Sequence, residues 1–527
     1  MGKSSLDALL RNQYILSPGE ASTVRTSIQE IDVRLRSLDA RISRLITELV
    51  ETTTQRNALL DQRTKYLSPL SLLRSFPPEV LGEIFVHAAL DNPQTRLRLS
   101  HVCRHWRNVV LRTPSLWSTL DFSDEDNTRE PVPSSIEQTI SRLSHAGSLP
   151  LNLKYEPAPS PLLADPQEGA DEEEVGDPAL VQTLFKVANK DRWKSLSITS
   201  KNSADLQHVF GGYYIWDRLE SLSLSARHSW TASTKIHGGD VFRLPCLRKL
   251  SLHLDRQEID NHTIDGRPFA IPWPQLTVLD LETNSSPKEY LDILRECVLL
   301  EQCTLAFDVP DPVLDNPLDP PISMATLQEF RLSSNEFPTH FLSSIKAPVL
   351  RRFTFEIAEE PGVVEEEVSW FLYDVGHTLE LLDIHLYDVD HDVFLGCFNS
   401  MDSLQELRIR TTERASQVET LLKALTLSID NSRLCLPKLE RFYITLYLTR
   451  NTESLFLSLV ESRWWPADKE CMFVYDEDKP FERIKSASLQ NLSSELTCRE
   501  RMEYLREKCE GLEVHYTTLE DDGDMMY

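Results

Sequence analysis

The feature that most constrains the fold of this chain is a short apolar pattern that recurs ten times between residues 193 and 444. Each copy is six residues long and places apolar side chains at its first, fourth and sixth positions, as in LESLSL and LTVLDL. Such alternation predicts one β-strand per copy. The copies begin at Trp193, Leu219, Leu247, Leu276, Leu300, Leu327, Leu350, Leu379, Leu404 and Leu439, at intervals of 26, 28, 29, 24, 27, 23, 29, 25 and 35 residues.

These intervals are typical of leucine-rich repeats, which have a period of about 20–29 residues and a strand that reads L-x-x-L-x-L. A single unit cannot bury its apolar face alone, so the units are expected to stack in parallel into a curved solenoid. The segments LPLNLKY near Leu151 and GLEVHY near Leu512 read as atypical terminal strands. The sequence therefore predicts an irregular leucine-rich-repeat solenoid over residues 149–516, with a parallel concave sheet.

The residues between the apolar positions are predicted to lie on the concave face of that sheet. In the early copies they are serines, Ser195, Ser197, Ser221 and Ser223, and in the later copies they carry charge of both signs. A curved surface of mixed charge suits a protein or peptide target, although any one of these side chains can equally be ordinary solvated surface. The candidate target-binding residues are Lys249, Asp280, Glu329, Arg331, Arg352, Asp383, Glu406, Arg408 and Arg441.

A second periodicity precedes the repeats, at residues 28–66. Its apolar residues step by three and four positions and form the seam of a heptad pattern. The pattern predicts a helix over residues 28–66 after a flexible segment, 1–27. Two interpretations stay open, a helix for dimerisation or partner binding and a helix folded back on its own domain. The seam residues are Ile28, Ile31, Leu35, Leu38, Ile42, Leu45 and Leu49, with Leu59 and Tyr66 still in phase.

Between the two patterns, residues 67–121 predict a small helical domain. Pro77 and Pro78 begin a helix, because a proline in the first turn loses no intrahelical hydrogen bond. A second helical stretch follows, and TPSLW then starts a short helix at Pro114 with Thr113 as its cap. About 50 residues bury little surface, so part of the apolar stripe is expected to meet a partner. The apolar positions are Val80, Leu81, Ile84, Phe85 and Ala88, and then Leu99, Val102, Cys103, Trp106, Val109 and Val110.

The segments FPPEVLGEIF, LSHVCRHWRNVV and PSLW, in this order, resemble an F-box, in the form found in mushroom-type fungi with a preceding heptad helix and following leucine-rich repeats. The resemblance implies a three-helix unit that docks on the Skp-type adaptor of a cullin-RING ubiquitin ligase. The same apolar residues can instead form the core of a helical bundle, which we expect for Trp106 in any case. The adaptor-binding residues implied by the resemblance are Pro78, Leu81, Ile84, Phe85, Val102, Cys103, Trp106, Leu116 and Trp117.

Composition limits the remaining possibilities. A net charge of −27 argues against nucleic acid as a partner. Nine cysteines without a C-x-x-C pair, and no apolar run long enough for a membrane span, predict an intracellular protein, cytoplasmic or nuclear. Residues 122–148 read as a linker with a helix, 156–178 as a disordered acidic loop and 517–527 as an acidic tail. His101, Cys103 and His105 do not form a metal site, because Cys103 lies on a different helix face.

The sequence also predicts that the chain is not an enzyme and holds no cofactor, since it has no phosphate-binding glycine loop and no G-x-S-x-G motif. The fold class is α/β, with a heptad helix and a three-helix F-box before the repeats. We therefore expect a substrate receptor of a cullin-RING (SCF-type) ligase, which reaches the cullin through its adaptor and binds an unidentified protein target. The alternative is a non-catalytic scaffold without any ligase role, which uses the heptad helix and the solenoid for assembly and self-associates through residues 28–66.

Overall fold

The computed structural model describes the chain in segments and divides it into two units, residues 1–84 and 85–527. The predicted acidic loop, 156–178, and residues 519–527 of the predicted acidic tail lie outside the described residues. The described residues are 17–67, 73, 76–90, 95–122, 136–155, 190–200, 216–226, 242–254, 269–283, 286–307, 314, 316–335, 339–357, 364–386, 391–411, 415–427, 436–446, 449–465, 474–476, 479–491, 499–509 and 511–518.

The first unit contains one long helix, α1, from Pro18 to Leu67. It begins ten residues before the predicted seam, inside the segment predicted to be flexible. A reciprocal cap explains this start: the backbone N–H of Ser17 donates to Glu20 Oε2 at 3.0 Å, and the N–H of Glu20 donates to Ser17 Oγ at 3.4 Å. Ser17 Oγ also donates to Glu20 Oε2 at 2.7 Å, and this hydrogen bond, followed by the one from the Ser17 N–H, lowers the pKa of Glu20. Helix α2, Pro78–Ala88, begins in this unit and ends in the next.

The second unit opens with short helices: α3, Thr95–Val102, α4, Arg104–Arg112, and a 3-10 turn, Pro114–Trp117. The sequence pattern predicts one helical stretch where the structure has α3 and α4. The break falls at Cys103, whose backbone is extended (φ −160°, ψ 170°) and whose Sγ accepts the N–H of Trp106 at 3.5 Å. A residue with extended backbone ends one helix and caps the next. Helix α5, Ile136–His145, follows.

A sheet of fourteen strands lies in the second unit, and all of its neighbouring strands are parallel and in chain order. The strands are β1 Thr119–Phe122, β2 Leu151–Tyr155, β3 Trp193–Ser200, β4 Ser221–Ala226, β5 Lys249–Leu254, β6 Val278–Thr283, β7 Gln302–Phe307, β8 Glu329–Ser334, β9 Arg352–Ile357, β10 Leu381–Leu386, β11 Glu406–Thr411, β12 Arg441–Leu446, β13 Ser486–Asn491 and β14 Glu513–Thr518.

One of these strands begins within each of the ten predicted copies, and β2 and β14 begin within the two predicted terminal segments. The backbone repeats with the sequence. The first leucine of a copy closes a tight turn, as when Leu219 N–H donates to the carbonyl of Trp216. The next residue then donates to the preceding copy, as from Glu220 to the carbonyl of Lys194 at 2.8 Å. Side chains alternate between buried and accessible along most of the strands, because successive residues of a strand point to opposite faces.

Two strands were not predicted from the repeat pattern. Strand β1 begins within WSTLDF, which has the same spacing of apolar residues as WKSLSI, but Trp117 is also the closing residue of the helical domain. Strand β13 has the spacing with Ile484 and Ala487 in place of leucines, and both side chains are buried. The helical domain is therefore continuous in sequence with the first strand of the sheet.

Helices follow many of the later strands: α6 Pro287–Glu296, α7 Val364–Val375, α8 His391–Phe398, α9 Ala415–Leu425, α10 Arg450–Ser462 and α11 Arg499–Lys508. Helices α7, α8 and α9 each contact the next helix in the series. Phe371 of α7 packs on Phe353 of β9 at a ring distance of 5.1 Å, and Phe330 of β8 stacks on Phe353 at 5.8 Å. The apolar face of the sheet is thus covered by helices in this region, which leaves the opposite, polar face accessible.

Short strand pairs complete the structure: Phe242–Arg243 with Phe269–Ala270 and Ile322–Ser323 with Ile345–Lys346, both parallel, and Val474–Asp476 with Lys479–Pro480, antiparallel. Within the described ranges, no helix combines the length and the apolar character that a membrane span requires.

Candidate functional site

Helix α2 separates its apolar residues onto two sides. Leu81 and Phe85 are buried, at 0% and 1% exposed. Val80 and Ile84, also four residues apart, are 46% and 43% exposed. Residues four apart share one face of a helix, so α2 has an inner pair and an outer pair. The outer pair, preceded by the exposed Pro78, is the part of this helix that a partner can contact.

Trp106 belongs mainly to the packing of the helical domain. Its ring lies 4.8 Å from the ring of Phe85 at an angle of 55°, and its side chain is half-buried. Cys103, one turn earlier, caps α4 through its sulfur. Val102, the residue before that cap, is 60% exposed. An exposed aliphatic residue beside an internal packing contact is available to a partner without disturbing that contact.

A buried arginine, which the sequence pattern did not single out, connects α3 to the start of the sheet. Arg96 is 1% exposed, and its Nη1 donates to the carbonyls of Leu116 at 2.8 Å and Thr119 at 2.9 Å. Its guanidinium lies 5.2 Å from the Trp117 ring, and Trp117 Nε1 donates to the carbonyl of Val110 at 2.9 Å. A charged residue between a threonine and a leucine reads as surface in the sequence, so no sequence signal marked Arg96.

The nine residues implied as adaptor-binding therefore separate by exposure. Two exposed aliphatic residues nearby, Val80 and Leu90 (68% exposed), were not among them. Buried side chains shape the domain, whereas exposed ones can touch a partner directly. The exposed members are Pro78, Ile84 and Val102, the half-buried ones Cys103 and Trp106, and the buried ones Leu81, Phe85, Leu116 and Trp117.

On strands β4 to β14, the polar sheet face consists of the side chains at the first, third and fifth positions of each strand. Parallel pairing places equal positions of neighbouring strands side by side, for example Asp383 beside Arg408. The nine predicted target-binding residues all lie on this face: Lys249, Glu329, Arg352, Glu406 and Arg441 at first positions and Asp280, Arg331, Asp383 and Arg408 at third positions. The fifth positions, not considered from the sequence, add His253, Glu282, Glu356, His385 and Arg410.

Two arginines on this face share one buried carboxylate. Glu406 is 5% exposed; its Oε1 accepts from Arg408 Nε at 2.6 Å and its Oε2 accepts from Arg441 Nε at 2.7 Å. The guanidinium of Arg408 also lies 5.1 Å from the Tyr443 ring. One negative charge thus holds two positive ones, and both arginine side chains stay nearly half exposed. This arrangement presents fixed donors to an acceptor on a bound protein.

A second charged group lies on strands β9 to β11. Arg410 Nη2 donates to Asp383 Oδ2 at 3.2 Å, and its Nη1 lies 3.7 Å from Glu356 Oε1. The pKa of Glu356 is lowered, mainly by a side-chain hydrogen bond with His385. Burial opposes this lowering, and the positive charges of Arg410 and Arg331 add to it. The ion pairs on Glu356 therefore stabilise the fold at pH above its ordinary value of 4.5 and are lost as the pH falls through the lowered pKa.

A third polar group contains a serine, a histidine and an aspartate. His253 Nε2 lies 2.8 Å from Asp280 Oδ2 and 3.2 Å from Ser251 Oγ, while Ser251 Oγ also donates to Asp280 at 3.1 Å. A nucleophile triad requires the serine and the carboxylate on different ring nitrogens. Here both meet Nε2, and Nδ1 lies 3.8 Å from Glu282. The geometry fits a binding surface and does not match that of a triad.

His253 supplies a pH prediction. The hydrogen bond with Asp280 is the main cause of its raised pKa, burial opposes the rise, and the charges of Asp280 and Glu282 add to it. The pair thus stabilises the fold below the ordinary histidine value of 6.5 and loses this effect as the pH rises through the raised pKa. By NMR titration of labelled histidines, we expect the pKa of His253 to lie above 6.5 and to fall in Asp280→Asn.

The matched control for this titration is Glu282→Gln, which removes only the smallest of the contributions and is expected to lower the pKa of His253 less than Asp280→Asn does. The NMR signal of His253 is assigned as the one that is absent from the His253→Gln variant. An unchanged pKa of His253 in Asp280→Asn would show that the short contact with Asp280 does not raise this pKa.

Comparison with known families identifies one part of the chain. Residues 66–123 match the family described as F-box-like. The match covers helices α2 to α4 and the first strand, so the chain contains an F-box-like domain with the geometry described above. No curated protein matches the chain. In the part of the chain that the structure describes, no three His, Cys, Asp or Glu side chains are grouped to hold a metal ion.

Proposed function

We propose that this protein is the substrate receptor of a cullin-RING ubiquitin ligase, with its F-box-like domain docked on a Skp-type adaptor. F-box domains typically bind such adaptors. The observation that carries the proposal is that the domain matching this family leaves aliphatic residues in solvent while its own core is closed. Val80, Ile84, Leu90 and Val102 are 43–68% exposed, whereas Phe85 is buried. Exposed aliphatic side chains on a small domain that matches an adaptor-binding family offer apolar surface that a partner can cover.

In this proposal the fourteen-stranded sheet is a leucine-rich-repeat solenoid whose polar face binds the target protein. The support is the agreement between the repeat pattern and the parallel strands in chain order. The mixed charge of the polar sheet face suits a folded protein or a peptide. Arg408 and Arg441 on this face are held by the carboxylate of Glu406, and ordered side chains lose less entropy on binding.

The protein supplies no covalent chemistry in this scheme and is not an enzyme by itself. Its contribution is proximity, because holding a target beside a ubiquitin-charged enzyme on the same cullin makes a bimolecular reaction effectively unimolecular. The link from Arg96 to the first strand supports this role. A buried guanidinium bonded to two backbone carbonyls keeps α3 and the start of the sheet in a fixed relation, as a receptor that positions its target requires.

The direct test is co-purification of the full chain with a Skp-type adaptor and cullin. A complex of one receptor per adaptor is expected. A well-folded chain that binds no Skp-type adaptor would contradict the proposal.

The second candidate is a scaffold without a ligase role. The observation that favours it is the apolar seam of α1, whose aliphatic side chains are exposed in the structure. A chain that self-associates but binds no adaptor would support the scaffold. A chain that binds the adaptor supports the receptor, whether or not it also self-associates.

The polar sheet face gives a further prediction. Arg331 and Arg352 lie on it, whereas Arg351, adjacent in sequence, precedes strand β9 and pairs with Glu380 at 3.2 Å. We expect Arg331→Glu with Arg352→Glu to weaken binding of the target by at least about tenfold, because reversed charges oppose a complementary surface. Arg351→Glu should leave it unchanged. The measurement is the amount of each protein that co-purifies with the wild-type chain, with the double variant and with Arg351→Glu.

Equal loss in the double variant and in Arg351→Glu would show an effect on folding, and no loss in either would place the target elsewhere. Circular dichroism of each variant checks that the sheet is intact.

A further inference from the structure

Helix α1 has an apolar stripe that the described structure leaves uncovered. A long helix in water gains most of its stability by packing an apolar face against another element. The stripe therefore needs a partner. Its seven aliphatic side chains are 51–63% exposed, and they are Ile28, Ile31, Leu35, Leu38, Ile42, Leu45 and Leu49.

We propose that the partner is α1 of a second copy of this chain, in a parallel, in-register, two-stranded coiled coil. In the heptad that begins at Ile42, an isoleucine at a is followed by Leu45 at d, the combination that favours two strands in parallel coiled coils. The whole seam has Ile28, Leu35, Ile42 and Leu49 at a positions and Ile31, Leu38 and Leu45 at d positions. The stripe ends where Thr52, Arg56 and Arg63 take seam positions, so the tightly packed part is residues 28–49.

The charges beside the stripe select the orientation. Arg34 and Arg41 lie at g positions, and Asp32 and Asp39 lie at e positions. In a parallel dimer a g residue meets the e residue five positions later on the other helix, so Arg34 faces Asp39 of the second copy, twice by symmetry. In the antiparallel alignment that sets Ile28 against Leu45, residues at g positions face g positions of the other helix, and residues at e positions face its e positions. Arg34 then faces Arg41, and Asp32 faces Asp39, which is unfavourable.

The same sequence therefore contains both halves of the attractive pair, and this complementarity identifies a second copy as the occupant. Parallel pairing brings the two Leu67 ends together, so both F-box-like segments leave the coiled coil at the same end. In combination with the proposed function, on which this one consequence rests, the dimer is a bivalent receptor that holds a target at two sites and gains avidity.

Sedimentation equilibrium of the full chain tests dimerisation. We expect a concentration-dependent dimer for wild type, loss of the dimer in Leu38→Asp with Leu45→Asp, and a wild-type dimer in Val33→Asp. Val33 is 59% exposed on the same helix, outside the stripe. A monomer at every concentration, as for a helix folded back on its own chain, would overturn the proposal. So would a dimer that survives the double substitution.

Charge reversal tests the orientation. Arg34→Glu places two carboxylates together in the parallel dimer and weakens it, but in the antiparallel dimer it faces Arg41 and strengthens it. Arg34→Glu with Asp39→Arg restores the parallel pair. In addition, Leu35→Cys should form a disulfide between copies under mild oxidation only if equal positions meet, with the wild type as the control for native cysteines. Stronger association of Arg34→Glu, or no cross-link at residue 35, would reject the parallel arrangement.

Adaptor binding by the Leu38→Asp and Leu45→Asp variant separates this inference from the proposed function. A monomer that still binds the adaptor leaves the receptor role intact, and a wild-type dimer that binds no adaptor leaves the coiled coil intact.

Discussion

Replacing Ile84 or Val102 by aspartate is expected to weaken binding of a Skp-type adaptor by at least about 30-fold, the loss that follows when a central interface residue is disrupted. The two side chains are 43% and 60% exposed, so a carboxylate at either position remains in water in the free protein. In the complex the same carboxylate would have to leave water for an apolar surface, which costs free energy. The measurement is adaptor affinity by calorimetry or biolayer interferometry.

The matched control is Val298→Asp, the same substitution at a valine that is 61% exposed and follows α6 in the sheet region. It should bind the adaptor as wild type does. Trp106 is a poor choice for this test, because its ring packs on Phe85 and its loss would disturb the domain itself. Wild-type affinity in both Ile84→Asp and Val102→Asp would mean that the exposed aliphatic residues of this domain are not the docking surface.

The second large effect is expected from Arg96→Met. This change removes the two hydrogen bonds from Nη1 to the carbonyls of Leu116 and Thr119, and it leaves these buried acceptors without that donor. Hydrogen bonds from charged groups contribute about 1.5–3 kcal/mol each, so we expect a loss of about 3 kcal/mol in local stability. Amide exchange in the 3-10 turn and β1 should then accelerate by roughly 100-fold.

Arg98→Met on the same helix is the control, because Arg98 is exposed. Its loss should change the local stability derived from amide exchange by no more than a few tenths of a kcal/mol. Slow exchange retained in Arg96→Met would show that Trp117 and its hydrogen bond to Val110 hold this junction without the guanidinium.

The sheet could be predicted because its signal is local and repeated. Each copy carries its own apolar residues, so a strand is marked even where Phe or Cys replaces a leucine, as at Phe353 and Cys303. The signal failed where a residue served two purposes, as at Trp117, or where small residues filled the buried positions, as at Ala487. Helix α3 was merged with α4 for a similar reason, since periodicity does not show that the Cys103 backbone is extended.

The location of the candidate site could be predicted from the sequence, but the burial and the contacts of its individual residues could not. Spacing identified the apolar residues of the F-box-like domain but not which of them are buried, because Leu81 and Ile84 are alike in a linear pattern and differ only once the domain packs. The fifth strand positions and Arg96 depend on contacts between residues 20 or more positions apart, such as Arg410 with Asp383 and Arg96 with Leu116. Such contacts have no mark in the local sequence.

The measurement that tests the central claim most directly is hydrogen exchange of the full wild-type chain with and without a purified Skp-type adaptor. The receptor account predicts that adaptor slows amide exchange in α2 and at the α3–α4 junction around Val102, while exchange in strands β3 to β13 stays unchanged. The account would be contradicted if the folded chain forms no complex with the adaptor, or if the protected amides lie in the sheet and the F-box-like domain shows no change.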